Sequence, residues 1–295
     1  MNSVKEKEPK KAGFIREKLI TIKKKLNSYF IERSEIIETI ILSIASRKHM
    51  ILVGDPGLAK TGVLKAFSKH IKGLRFFDYQ MTPLTEIDSL LSKNKANMGQ
   101  GIDKCEIALI DEFFKGPSPT LNSLLSIMNE RIIYAPQPAA IPLISLFATS
   151  NEKPDKSSGA ALLPLYDRFL LRNEVSPVKD PKNFTKLLNI AEEYSYGGIE
   201  INIGDLDLIG QSSAFIKVPE KIYNIMHHIR EELLNKQVTV SDRRWRETIR
   251  IMQVNAFLNC RDEISMEDIK SIESSLWTFY SDIRSVKSVI KKLIT

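Results

Sequence analysis

The sequence is poor in the features that mark a secreted, metal-stapled or membrane-spanning protein. It has two cysteines in 295 residues, Cys105 and Cys260, too few for a disulfide framework and too far apart in sequence for a zinc site. Both are expected to be buried as small apolar side chains in a reducing compartment. No run of about 18 apolar residues occurs, so no membrane-spanning helix is expected. The first 30 residues lack the apolar stretch of a secretory leader, because Arg16, Lys18 and Lys23 to Lys25 interrupt it. The chain is therefore expected to stay in the cytoplasm. There is no internal repeat, and no low-complexity tract beyond the Lys/Glu-rich first dozen residues.

Charge of both signs is present, unevenly. Lys and Arg total 43 against 36 Asp and Glu, a net +7. Residues 1–25 hold nine basic and three acidic side chains, so +6 of that charge sits in one arm and the other 270 residues are almost neutral. That excludes a basic protein that coats nucleic acid and leaves a basic arm on an ordinary globular body. With 43% hydrophobic and 27% charged residues, the chain is neither disordered nor fibrous, and it is long enough for two domains with cores.

Hydrophobic spacing gives the organisation. Ile15, Leu19, Ile22, Leu26 and Phe30 make one helical stripe between Phe14 and Ile31, with lysines on the other faces. A second helix is expected over about 34–46. A short apolar strand, 50–53, then runs into Gly-Asp-Pro-Gly, and a helix is expected from Thr61 to Lys72. Strand-like runs follow at 75–79, 107–110 and 143–149, with a helical pattern over 120–129. Strand alternating with helix predicts an α/β core with a parallel sheet covered on both faces. Beyond about residue 177 the long periodic segments are helical: 219–236 with Pro219 at the first position, 242–258 and 265–293. The division expected is an arm and amphipathic helix over 1–31, an α/β core over 32–176 and a smaller all-α domain over 177–295.

The segment Gly54-Asp55-Pro56-Gly57-Leu58-Ala59-Lys60-Thr61 follows a buried strand and opens a helix, the context a phosphate-binding loop needs. Glycines let the backbone turn its N–H groups onto anionic oxygens, and the helix N-terminus adds its positive end. Lys60 is expected to reach the β- and γ-phosphates, and the Thr61 hydroxyl to bind Mg²⁺. Ala59 stands where a glycine is usual; its methyl is tolerable if that position keeps a negative φ. A Gly/Pro turn with a chance Lys-Thr is the bland alternative, which the flanking strand and helix disfavour.

About 50 residues on, an apolar run ends in Asp111 and Glu112. A buried parallel strand places its last side chains at the carboxyl edge of the sheet, where ligands bind in open α/β folds. Asp111 is expected to hold Mg²⁺ and Glu112 to orient and deprotonate the attacking water. An acidic pair alone would be an ordinary solvated turn; its distance downstream of a phosphate loop raises it. Asn151 closes the 143–149 run and is placed to hydrogen-bond the γ-phosphate or the lytic water.

Together these residues resemble an AAA+ ATPase, with a three-layer αβα P-loop core and a helical lid, and more narrowly the MoxR family in its RavA-like branch. The matching segments are the phosphate loop, Leu109 to Lys115, Leu121 to Leu125 with Asn129-Glu130-Arg131, Ala148 to Glu152, Leu165 to Phe169, and Ser241 to Arg246. The Ser-Asp-Arg-Arg-Trp and Asn-Glu-Arg runs are more specific than the phosphate loop, and Ala before the Lys is common in this branch. The resemblance implies ATP and Mg²⁺ at Gly54 to Thr61, Walker B roles for Asp111 and Glu112, and sensor 1 for Asn151. It makes Arg168 an arginine finger toward a neighbouring subunit and Arg243 a sensor 2. It also implies a homo-oligomeric ring, with six subunits expected, and a protein client. Arg131 is a candidate interface residue.

For Arg243 the residues give separate support. Asp242, Arg243 and Arg244 fall in the first turn of an expected helix, where the macrodipole disfavours cations unless an anion faces them. The alternative is a local pair with Glu247, and for Arg168 a surface pair with Asp167.

Three functions follow. The first is a chaperone-like remodelling ATPase, in this family commonly working with a von Willebrand factor A protein. No Asp-x-Ser-x-Ser metal motif occurs here, so that domain would come from another chain. The second is a nucleic-acid motor or loader using the basic arm, against which stands the ordinary reading of the arm as a solvated helix face with a disordered tip. The third is a nucleotide-binding scaffold that does not turn over.

Overall fold

In the computed structural model the described residues are 2–97, 99–134, 137–152, 163–190 and 193–294, without the side chains of residues 2–10. The elements in chain order begin with α1 (Asn2–Tyr29), α2 (Ser34–Ser46), β1 (Met50–Val53), α3 (Lys60–Ser68), β2 (Ile71–Lys72), β3 (Phe76–Gln80) and β4 (Ile107–Asp111). They continue with α4 (Ser118–Glu130), β5 (Ile132–Tyr134), β6 (Pro138–Ala140), β7 (Ser145–Ser150), α5 (Leu163–Arg168) and β8 (Leu171–Glu174). The last part holds α6 (Pro181–Leu188), β9 (Ile201–Asn202), α7 (Ile203–Ser213), α8 (Glu220–Asn235), α9 (Asp242–Leu258), α10 (Glu273–Leu276) and α11 (Ile283–Ile294).

Five strands form a parallel sheet in the order β3-β4-β7-β1-β8. Its central strands β1, β4 and β7 are buried almost throughout, which their near-continuous apolar sequences require. The register aligns Val53 with both Ser150 and Glu174, and Ile110 with Ala148, so the carboxyl ends of β1, β4 and β7 meet along one edge. The five-stranded α/β core with helices behind it is the fold that the strand and helix alternation predicts.

The fifth strand, β8, is absent from the hydrophobic pattern. Its middle residues are Arg172 and Asn173, which read as surface but are both buried. Arg172 is tolerated because it spends its donors on backbone carbonyls, Phe169 O and Tyr166 O at 2.9 Å each, whereas Asn173 reaches only Glu35 Oε1, at 3.5 Å.

The amphipathic helix of the arm packs into the main core through Ile15, Leu19, Ile22 and Leu26, all fully buried, with Phe30 just past its end. It touches α2, α3 and α7, and it begins earlier than its apolar stripe, at Asn2. The helix over 61–72 is shorter than expected, because the chain leaves it at Ser68 so that Ile71 can pair with Ile201 in a two-stranded ladder.

Two further expectations fail. The segment 265–293 is a broken path rather than one helix: a 3-10 turn at Met266–Ile272, α10, an extended link at Trp277, a second 3-10 turn at Tyr280–Asp282, then α11. Buried aspartates set these breaks. Asp268 accepts from Ser265 N at 2.8 Å and Asp282 from Phe279 N at 2.8 Å, each starting a fresh turn. Cys260 is exposed rather than buried, since it follows α9 in a left-handed turn with φ of 62° facing solvent, whereas Cys105 is buried.

Candidate nucleotide site

The phosphate loop leaves β1 at Gly54, where no side chain fits: a Cβ there would stand 2.3 Å from the Val175 carbonyl oxygen. Gly57 follows with φ of 80°, a conformation open to glycine. Ala59 does not keep the negative φ expected of it. Its φ is 59° and ψ 28°, because the chain must turn left-handed to enter α3 at Lys60. A left-handed alanine costs about 1 kcal/mol, which the loop carries next to its ligand position.

Lys60 folds inward and is 7% exposed. Its ammonium donates to the Gly54 carbonyl, to the Asp55 carbonyl at 3.1 Å and to Asn151 Oδ1. Burial lowers its pKa, and the charges of Glu112, Asp111 and Asp55 pull the other way. These acceptors hold the Lys60 cation over the loop. Thr61 is the next residue, in the first turn of α3.

From the neighbouring strand ends come the acids. Asp111 Oδ1 accepts the Thr149 hydroxyl hydrogen, and the same hydroxyl oxygen accepts Glu112 N–H at 3.3 Å. Glu112 turns off the end of β4 with φ of 53°, a strained setting for a non-glycine residue. Its Oε1 accepts from Asn151 Nδ2, and its Oε2 lies 3.6 Å from Lys115 Nζ. Lys60, Asp111, Glu112 and Asn151 therefore converge at the carboxyl edge, as their places in the sequence implied. For Mg²⁺ the donors present, the Thr61 hydroxyl and the Asp111 carboxylate beside a phosphate cradle, are of the kind that ion takes. They are the residues that would hold it, where it would neutralise developing phosphate charge.

Arg168 and Arg243 lie elsewhere. They line a common cavity of about 190 Å³ with Lys48, His49, Arg131 and Glu247, and His49 immediately precedes β1, at the end opposite the phosphate loop. Arg168 pairs loosely with Asp167 at 3.8 Å, and its buried Nε has no hydrogen-bond partner among the described residues. Glu247 takes Lys48 as its partner rather than Arg243. Burial lowers the Arg243 pKa, and the Arg168 charge lowers it further. Cations thus outnumber carboxylates in a half-buried cavity, an arrangement suited to an anion.

Arg131 is half-buried on the wall of that cavity. It donates to Met128 O at 3.0 Å, Ile144 O at 2.9 Å and Arg47 O at 3.2 Å, and burial pushes its pKa down to about 10. Sequence reasoning passed over Thr149, which steers both acids, and Arg33, whose guanidinium reaches the Leu58 carbonyl at 3.4 Å. Thr149 carried a readable signal, being a hydroxyl two residues before Asn151 at the end of the buried run Leu146-Phe147-Ala148.

A family model described as the MoxR domain in the MoxR-vWA-beta-propeller ternary systems matches residues 17–195. The chain belongs to the MoxR family. A second model, an AAA lid domain, matches residues 221–290 of this MoxR chain. An uncharacterized protein of Methanocaldococcus jannaschii is 34% identical to it over 288 residues, 94% of this chain and 74% of the relative. Chaperone MoxR1 of Mycobacterium tuberculosis is 26% identical over 153 residues, 48% of this chain and 40% of its own length. The crystal structure of a candidate ATPase from Cytophaga hutchinsonii superposes with a TM-score of 0.79 at 19% identity, covering 100% of this chain and 98% of the other. That likeness, the parallel five-stranded sheet and the AAA lid match together establish the fold of the MoxR chain as an α/β P-loop NTPase-like core with a helical AAA lid.

Proposed function

We propose that this MoxR chain is an Mg²⁺-dependent ATPase that works as a ring and remodels or activates a protein client. The carrying observation is the line Lys60–Asn151–Glu112, which joins the phosphate-loop cation to the water-activating carboxylate through one amide. On this reading Gly54 to Thr61 cradle the phosphates, Thr61 and Asp111 hold the metal, Glu112 takes the proton of the attacking water, and Asn151 positions it. Residues 32–176 are the nucleotide-binding core, residues 177–295 the lid, and residues 1–31 an arm that packs on both.

The placement of Arg168 and Arg243 supports a site shared between subunits. Their cavity is at the far end of β1 from their own phosphate loop, so the nucleotide they act on is that of a neighbouring copy. A ring, with six copies as the family precedent suggests, lets each cavity face the next loop. The description of the matched family supports a von Willebrand factor A protein as collaborator, and the RavA-like placement rests on the Ser241 to Arg246 and Asn129 to Arg131 runs. Burial of the apolar stripe of α1 against the core favours the protein-remodelling reading over the nucleic-acid motor.

The test is ATP hydrolysis by Glu112→Gln and Arg168→Ala proteins, separately and mixed. Each alone should bind nucleotide and release no phosphate above about 1% of the unmodified rate. Mixed rings should recover activity, because some interfaces pair an intact Glu112 with an intact Arg168. Unchanged phosphate release from Glu112→Gln would remove the catalytic assignment, and absence of recovery on mixing would remove the shared site.

A further inference from the structure

Arg168 and Arg243 come from different parts of the chain, the end of α5 and the start of α9, yet the two parts are fastened together beside them. Ser241 is the N-cap of α9. Its hydroxyl donates to Asp167 Oδ1 at 3.1 Å, and its oxygen accepts Arg244 N–H at 3.4 Å. One hydroxyl therefore joins the residue before Arg168 to the turn that carries Arg243.

A second fastening lies beneath the first. Arg244 is 1% exposed and donates to Thr278 Oγ1 at 2.8 Å, to Trp277 O at 2.7 Å and to Ser275 O. Arg172, also 1% exposed, donates to that same Trp277 oxygen from the core side and to Tyr166 O, with its guanidinium 4.4 Å from the Tyr166 ring centroid. A single carbonyl thus accepts from one buried arginine of the core and one of the lid. Buried charge-assisted hydrogen bonds of this kind are strong and directional. Among the described residues, no hydrogen bond joins these four fastening side chains to the phosphate loop.

Two guanidinium groups held close repel each other, and each long side chain loses rotamer freedom when it is aimed. Fixing both backbones on one frame removes that reorganisation from the moment of reaction. We propose that Asp167 and Ser241 are positioning residues which, over the Arg172–Trp277–Arg244 bridge, lock Arg168 and Arg243 into one two-armed clamp for the terminal phosphate of a nucleotide. Core and lid of one subunit then carry the clamp as a single body, and the nucleotide meets both arginines or neither. This rests on the reading that the two arginines act on the nucleotide of a neighbouring copy.

The experiment is steady-state ATP hydrolysis by the full-length protein carrying Ser241→Ala, Ser241→Thr, Asp167→Ala, Arg168→Ala, Arg243→Ala or the double arginine change. Sedimentation, thermal unfolding and equilibrium binding of a fluorescent ATP analogue accompany each variant. Ser241→Ala and Asp167→Ala should lower kcat by about 10- to 100-fold, the effect of misplacing a catalytic group by about 1 Å. KM, analogue binding and sedimentation should be unchanged, and Ser241→Thr, which keeps both the cap and the donor, should restore kcat. The double arginine variant should be no slower than the slower single one, because a clamp missing one arm is already lost. If Arg168→Ala and Arg243→Ala each abolish turnover while Ser241→Ala and Asp167→Ala turn over normally, the clamp is wrong and the shared site stands. If both arginine variants turn over normally, the shared-site reading falls first. Asp167→Ala removes no helix cap, so it decides the matter if Ser241→Ala unfolds.

Discussion

Asn151 donates its Nδ2 hydrogen to Glu112 Oε1 while its Oδ1 accepts from Lys60. One amide thus orients the carboxylate through its nitrogen and contacts the phosphate-loop lysine through its oxygen. On the proposed ATPase reading, a γ-phosphate drawn to Lys60 would compete for that ammonium and release the amide to the water that Glu112 would deprotonate. Asn151→Ala should lower kcat by about 100-fold, the usual effect of removing one preorganised donor. Nucleotide affinity should change by less than about threefold, since Lys60 keeps the Gly54 and Asp55 carbonyls. A variant that loses binding and rate in equal measure would show Asn151 to be a ground-state ligand instead.

Arg243 and Arg244 are adjacent in sequence and opposite in environment, so their replacement should separate rate from stability. Arg244 is buried and bonded to three lid oxygens, and Arg244→Ala strands the Ser275 carbonyl. Unfolding free energy should fall by about 3 kcal/mol. Arg243 has no ion pair within 4 Å among the described residues, and Arg243→Ala should change stability by less than about 0.5 kcal/mol while hydrolysis is lost. Urea titrations of the two proteins, read beside phosphate release, check both halves.

Much of the nucleotide half of the site was legible because its signals are local. A loop between strand and helix, an acid pair ending an apolar run and an asparagine ending another each declare their position on a parallel sheet. The arginine half was legible only as residues, not as a place. Nothing in the spacing between Arg168 and Arg243 says that a hydroxyl at Ser241 ties their helices together, because that contact spans 74 residues. β8 escaped for a related reason: Arg172 is made compatible with burial by the carbonyls of Tyr166 and Phe169 and by that of Trp277, the last 105 residues away. The 265–293 segment misled because its apolar periodicity continues across breaks that Asp268 and Asp282 impose through local hydrogen bonds.

Ala59 offers a test of stored strain. With φ of 59° its methyl occupies the left-handed region that glycine enters freely. Ala59→Gly relieves about 1 kcal/mol in the folded state and loses part of that to the more flexible unfolded chain, for which about 0.4–1 kcal/mol is typical. Net stability should therefore rise by no more than about 0.6 kcal/mol, whereas Ala59→Val, β-branched in the same conformation, should lose at least about 1 kcal/mol. Denaturant midpoints of the three proteins suffice; a glycine variant less stable by more than 1 kcal/mol would mean the alanine methyl makes a contact worth more than its strain.

The buried histidines make stability depend on pH in a defined direction. His49 accepts Leu146 N–H on Nδ1 at 2.9 Å, so Nε2 carries the hydrogen, which it gives to Met128 O at 2.9 Å. Burial holds its pKa well below the ordinary value, helped by the charges of Arg131, Lys48 and Arg243. His70, bonded to Ile199 O and the Tyr194 hydroxyl at 2.7 Å each, is lowered by burial too. In the unfolded chain both titrate near 6.5, so below that pH the unfolded state binds protons the folded state refuses. Stability is therefore complete above the unfolded value and is lost as pH falls from it toward the depressed folded values. Each histidine contributes a slope of at most about 1.4 kcal/mol per pH unit, and the fall from pH 7.5 to 5.5 should be about 1.5–3 kcal/mol. Glu273, whose carboxyl is raised by burial, runs in the opposite sense, so the comparison that isolates the effect is with His49→Asn. That variant should be less stable at pH 7.5 and show roughly half the pH slope. An unmodified protein equally stable at both pH values would mean that both rings are charged when folded, against the Leu146 N–H that occupies the His49 Nδ1 lone pair and against the burial of His70.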